Sequence, residues 1–201
     1  MSRVEFAYWA EGPTDRAAAR RLIEAVGAAP GADYSGRRRA SPGKDYLDAN
    51  VARYNAAARL APWLVLRDAD GACAAELAAE LLPKPAEFMC FRVVVPAIEA
   101  WLLADSEALA TFLGVSVARI PSKPEEITDV KGCIVDLVRH SRLRSIREDF
   151  LPVARSGRKE GPGYANGLIE FINRIWDPKR AAVRASSLER AILRLRSLAQ
   201  L

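Results

Sequence analysis

The chain has 201 residues, 50% of them hydrophobic and 27% charged, which excludes a disordered polymer and suits one domain with an appendage. Lysine and arginine outnumber the acids by 30 to 25, a formal net charge of +5, which points to a polyanionic partner. The surplus is confined to one end. Residues 1–135 carry 16 basic and 18 acidic side chains, a net of −2, whereas residues 136–201 carry 14 and 7, a net of +7.

In chain order, Val4–Trp9 is a short apolar run that predicts a strand, and Ala10–Thr14 a tight turn. Ala18, Leu22 and Val26 recur at helical spacing before Gly27. Residues 28–43 are rich in Gly, Pro, Ser and Arg and read as a weak strand or a loop. Leu47, Val51, Tyr54 and Ala58 mark a second helix, closed by Pro62. Trp63–Leu66 is a continuous apolar run, as expected of a strand buried on both faces, and an Ala/Leu-rich helix then reaches Leu82. Phe91–Val95 predicts a further strand, followed by one helix holding Ile98, Leu102 and Leu109. Beyond Pro124 only helical patterns remain, over about 130–140, 143–151, 165–176 and 186–200. Ser186-Ser187-Leu188-Glu189 has the form of a capping box, and Ser156–Gly163 reads as an exposed basic loop.

Strands alternating with helices predict a mostly parallel sheet flanked by helices, an α/β body over residues 1–122. Residues 123–201 are expected to form a basic helical extension packed on it. Cys73, Cys90 and Cys133 form no CxxC pair, and their odd number argues against a disulfide framework; they are expected to be reduced core or helix-packing residues. With no apolar leader core at the N-terminus and no run of membrane-spanning length, the expectation is a cytoplasmic protein without membrane contact. His140 is the only histidine, which removes zinc enzymes needing several and disfavours a Ser-His-Asp catalyst.

In an open α/β sheet, ligands bind beyond the carboxyl ends of the strands. Glu11 follows the first strand, Asp68 and Asp70 follow Trp63–Leu66, and Glu99 lies just past Phe91–Val95. If those strands are neighbours the carboxylates converge and repel, and a hard divalent cation relieves the conflict. Gly12 and Gly71, directly after Glu11 and Asp70, suit tight turns that would expose these acids.

Glu11-Gly12-Pro13-Thr14-Asp15, then Asp68-Ala69-Asp70, then Glu99-Ala100-Trp101-Leu102-Leu103-Ala104-Asp105 resembles a Toprim-like family of small bacterial proteins. Toprim is the topoisomerase–primase fold, also found in the OLD (overcoming lysogenization defect) nucleases and in anti-phage defence proteins. The resemblance covers most of the chain, including Val183–Leu195. It implies a Toprim-like sheet with Glu11 as general acid or base, and Asp68 and Asp70 as Mg²⁺ (or Mn²⁺) ligands with Glu99 completing the site. Lys131 aligns with the lysine of a family Pro-Lys pair, Val130 replacing the proline, and is implied as a phosphate or transition-state contact. Asp15 stands where a glutamate is usual.

The implied activity is metal-dependent phosphodiester hydrolysis on nucleic acid, a Toprim-type nuclease with a possible place in defence. Arg139, Arg142, Arg144, Arg147, Arg155, Arg158 and Lys159 are candidates to track a phosphate backbone, as are Arg37 and Arg38 of the Arg37–Arg39 triplet. The terminal helix is expected to serve packing or oligomer contacts. Two rival readings use the same residues. One is a non-catalytic nucleic-acid or protein-partner module; the other is a phosphohydrolase acting on a small phosphoester. The tyrosines, Tyr164 among them, sit in no cleavage module that would support transesterification.

Overall fold

The apolar runs between the helical patterns pair with one another, because strands buried on both faces leave only their edges to satisfy through backbone hydrogen bonds. The structure is a computed structural model and describes residues 3–35 and 43–200. Strand β1 (Glu5–Trp9) turns into α1 (Pro13–Ala25), followed by β2 (Ala29–Asp33), α2 (Gly43–Ala57), β3 (Trp63–Asp68), α3 (Ala74–Leu81) and β4 (Met89–Val94). Helices α4 (Ile98–Ala104) and α5 (Ser106–Leu113) precede two 3-10 turns, Val117–Arg119 and Pro124–Glu126. Then come α6 (Val130–Arg139), α7 (Arg144–Phe150), α8 (Tyr164–Arg174), α9 (Pro178–Ala182) and α10 (Ser186–Ala199).

The strands lie in the order β2-β1-β3-β4 and every neighbouring pair is parallel. The expected α/β class therefore holds, with a sheet that is wholly rather than mostly parallel. Parallel strands need crossovers, and these cover both faces. Trp9, Trp63, Val65, Met89, Phe91 and Val93 pack beneath α2 and α3. Phe6, Tyr8, Leu64, Leu66, Cys90 and Val94 face a larger core shared with α1, α4 and the helices beyond residue 123. Alternate residues of each strand thus serve different cores, which is why these runs are apolar throughout.

Four expectations require correction. The helix predicted from Ile98 to Leu109 breaks at Asp105, which leaves helical geometry and ends α4. Asp105 is 3% exposed, and its two oxygens accept from Arg180 Nε and Nη2 at 2.9 and 2.8 Å and from the Asp177 N–H at 2.9 Å. The capping box at Ser186 is replaced by a distant cap: the N–H groups of Ser186 and Ser187 each donate to Glu125 at 2.9 Å. Cys73 is exposed, not a packing residue. Helix α9 was not anticipated at all. The region 28–43 contains an edge strand, β2, over its described part.

Candidate active site

The strand order changes direction between β1 and β3: the chain moves outward from β1 to β2, then returns across β1 to β3 and β4. Crossovers on opposite faces leave a crevice there, beyond the carboxyl ends of both strands. Glu11 follows β1 into that crevice, and Asp68 is the last residue of β3. Glu99 is in the first turn of α4, only 3% exposed. Asp15, in the first turn of α1, is 8% exposed. A cleft of about 370 Å³ has Asp15, Asp68, Glu99, Lys131, Arg158 and Tyr164 among its lining residues. An adjoining cleft of about 210 Å³ reaches Asp70, with Asp68 and Lys131 common to both.

The carboxylates crowd one another in poorly solvated surroundings. Asp68 is pushed up to about 9, by burial first and then by Asp15, Glu99, Glu11 and Asp70. Glu99 rises to about 7 through burial; Lys131, whose Nζ lies 3.9 Å from Glu99 Oε1, opposes the rise, and Asp15 adds to it. Glu11 is raised by burial and by Asp70, with Arg67 pulling it back. Asp15 is raised by burial too, although its Oδ2 accepts the Gly12 N–H at 3.1 Å. Lys131 is raised in turn, chiefly by Glu99. Asp15 Oδ1, Asp68 Oδ1 and Glu99 Oε2 are all buried without a hydrogen-bond partner. Native structures hold only a few such groups, and here three lie around one cleft.

Asp70 meets different conditions. It is exposed, with a left-handed backbone (φ 50°) ahead of Gly71 (φ 85°), and its Oδ2 pairs with Lys44 at 2.9 Å and Arg67 at 3.3 Å. Arg67 is 6% exposed and is held by both oxygens of Asp48, at 3.1 and 3.2 Å. Gly71 thus has the turn geometry expected of it. Gly12 is extended (φ −110°), and its lack of a side chain matters for another reason: a Cβ there would meet Asp15 Oδ2 at 2.8 Å.

The helical extension supplies the opposite wall. Asp129 caps α6 by accepting the Gly132 N–H at 2.9 Å, which places Lys131 in the first turn over Glu99. The loop before α8 is tied to the end of α7, Gly161 N–H to Phe150 O at 2.9 Å and Gly163 N–H to Asp149 O at 2.8 Å. It thereby brings Arg158, Glu160 and Tyr164 to the cleft. The Tyr164 hydroxyl is buried without a partner, and burial together with Glu99 and Glu160 raises its pKa, keeping it a neutral donor. The Glu99–Asp105 segment joins both walls. Glu99 faces the cleft, Trp101 Nε1 donates to Ser187 Oγ at 2.7 Å, Trp176 Nε1 donates to the Trp101 carbonyl at 3.3 Å, and Asp105 holds Arg180.

Among the described basic residues expected to track a phosphate backbone, only Arg158 lines this cleft, beside Lys131; Arg155 and Lys159 are exposed elsewhere in the loop. Arg139 and Arg144 pair with Asp136 and Glu148 at 3.2 and 2.7 Å, and Arg147 donates to the Ser141 carbonyl. Arg194 donates to the Met89 and Glu87 carbonyls, so α10 docks on the edge of β4. Arg37 and Arg38 lie outside the described residues. Three cleft residues carried no role in the sequence reading. Asp15 had a local signal, a carboxylate three residues past Gly12; Glu160 and Tyr164 had none, since only tertiary packing brings them to the acids.

Among the described residues no three His, Cys, Asp or Glu side chains close around a single point. The donor set nonetheless suits Mg²⁺ or Mn²⁺: these ions favour carboxylate oxygens, and Mg²⁺ needs only one or two while retaining several waters. No protein-family model, curated protein or solved structure matches this chain.

Proposed function

We propose that this protein is a metal-dependent phosphodiesterase acting on nucleic acid, in line with its resemblance to the Toprim-like family. The observation that carries the reading is the trio of buried, unpartnered carboxylate oxygens on Asp15, Asp68 and Glu99, beside Lys131 and Arg158 at the switch point of the sheet. Asp68 and Glu99 are the nearest candidates to hold Mg²⁺ or Mn²⁺, with Asp15 behind them. When bound, such an ion polarises a phosphoryl oxygen and stabilises a leaving oxygen.

The chain's own groups do the rest. Lys131 and Arg158 offset the charge of a phosphodiester brought against the carboxylates. Tyr164, held neutral, donates a hydrogen bond to a phosphoryl oxygen. Glu11, raised from the ordinary carboxylate range, exchanges a proton with the attacking or leaving oxygen.

The test is cleavage of a labelled oligonucleotide with Mg²⁺ or Mn²⁺ against a chelator control, in the native chain and in Asp68→Asn and Glu99→Gln. Metal-dependent cleavage lost in both variants supports the reading. Equal cleavage by native and variant chains overturns it. One observation favours a second reading, a non-catalytic binding module: Asp70 is taken up by Lys44 and Arg67. Salt-sensitive binding without any cleavage, retained in both variants, would select it.

A further inference from the structure

A second and larger cleft, of about 690 Å³, lies on the other flank of α1. Pro13 lines both, so the two adjoin across the first turn of that helix. The second cleft has three arginines, Arg16, Arg20 and Arg21, against two acids, Glu24 and Asp33. Both acids are already engaged. Glu24 lies 3.9 Å from Arg21, and Asp33 accepts the Ser35 N–H at 2.8 Å along with the Ser35 hydroxyl. Arg21 is engaged too, giving its Nε to the Trp176 carbonyl at 3.2 Å.

Arg16 and Arg20 remain. They stand one helical turn apart on the same side of α1, and neither has an ion-pair partner among the described residues. Tyr8, 3% exposed, lines the same cleft, and burial raises its pKa while the nearby Arg20 and Arg16 guanidinium groups oppose the rise. Two guanidinium groups without carboxylate partners, set in a polar concavity, suit phosphate oxygens, which they can grip through two parallel N–H donors. A strand entering a cleft crowded with carboxylates also needs positive charge close by to offset the repulsion.

We infer that this groove binds the phosphate backbone of a polynucleotide strand as it passes the acidic cleft, Arg16 and Arg20 taking successive phosphates. The inference rests on the phosphodiesterase reading for the strand's course, and it makes the preferred substrate a polymer rather than a small phosphoester.

Binding of a fluorescent single-stranded oligonucleotide in chelator, read by anisotropy across a salt series, requires no turnover. The double variant Arg16→Gln/Arg20→Gln should bind at least about tenfold more weakly, with a log–log salt slope shallower by about 1.4 for two lost phosphate contacts. Arg196→Gln, an exposed charge on α10, should leave both unchanged. Arg16→Lys/Arg20→Lys, which keeps the charge, should retain most of the binding and guards against a folding artefact. In Mn²⁺, turnover of bis(4-nitrophenyl) phosphate should survive the glutamine pair and be lost in Asp68→Asn; that second loss tests the active site independently of the groove. Native-like oligonucleotide binding by the glutamine pair overturns the inference, as does equal weakening by Arg196→Gln. Competition by ATP as strong as that of the oligonucleotide, at equal phosphate concentration, also overturns it, because the groove would then hold a free nucleotide.

Discussion

Asp68 and Asp70 stand two residues apart, and the fold treats them in opposite ways. Asp68 closes β3 with a buried oxygen that no donor reaches, and its neighbours are carboxylates. Asp70 has left the strand for a left-handed turn, is exposed, and is neutralised by Lys44 and Arg67. One corner of the crevice therefore crowds carboxylates that Lys131 only partly offsets, and the next has been discharged by the protein's own cations. A buried carboxylate cluster of the first kind costs stability, and groups with strongly shifted pKa values concentrate at functional sites. An exposed pair of the second kind contributes little either way.

The largest contrast is expected in catalysis. On the proposed activity, Asp68→Asn should lower metal-dependent cleavage at least about 100-fold, as for the loss of a metal ligand, whereas Asp70→Asn should lower it less than about tenfold. Single-turnover rates in Mg²⁺ measure both, and equal losses would erase the distinction between the two corners.

Next in size is the strap that holds the cleft's far wall. Asp105→Ala removes the buried carboxylate shared by Arg180 and the Asp177 N–H, leaving Arg180 only Asp177 at 3.6 Å and the Ile175 carbonyl, and should destabilise the fold by about 2–3 kcal/mol, reduced from a fully buried pair because Arg180 is half-exposed. Urea unfolding monitored by tryptophan fluorescence gives the value, and a midpoint unchanged from native would remove Asp105 from this role.

The pH dependence belongs to the crowded corner. Asp68 and Glu99 have folded-state values raised to about 9 and about 7, above those of the unfolded chain. Between the unfolded and folded values the native state binds more protons, so stability is full below about pH 4 for these groups and falls as pH rises towards 9. In chelator, Tm should decline across that window, and Asp68→Asn should flatten the decline and raise Tm at pH 8. A Tm that rises with pH in chelator, with Asp68→Asn no different, would contradict the buried cluster.

The smallest expected effect belongs to the discharged corner. Asp70→Asn should change stability by no more than about 1 kcal/mol, because Arg67 keeps both oxygens of Asp48 and Lys44 is free to hydrate. Guanidinium titration checks this, and a loss of several kcal/mol would show that Asp70 carries the Arg67 network.

Much of the site could be read locally. Glu11, Asp68 and Glu99 each follow an apolar run short enough to be a strand, and a parallel sheet gathers such positions at one edge whatever the details of packing. Arg67 hid the fate of Asp70, since an arginine buried beside Asp48 depends on α2 crossing the sheet. Glu125 could not be recognised as the cap of α10, because it lies 61 and 62 residues from Ser186 and Ser187, whose N–H groups it accepts. The break at Asp105 was invisible for a similar reason: its apolar flanks continue the helical period, and only the distant Arg180 rewards leaving it.

By itself the sequence determined the alternation of strands and helices in the first hundred residues and the all-helical character beyond, the apolar character of both sheet faces, and the placement of acids at strand ends, because these follow from periodicity and composition within a few residues. It also determined that basic charge is concentrated after residue 135. The tertiary structure decided which charges meet. It spent Arg139, Arg144 and Arg147 on local partners, carried Lys131, Arg158 and Tyr164 to the acids, and left Arg16 and Arg20 without carboxylate partners among the described residues. Electrostatic energy depends on distance and burial, and neither is a property of position along the chain.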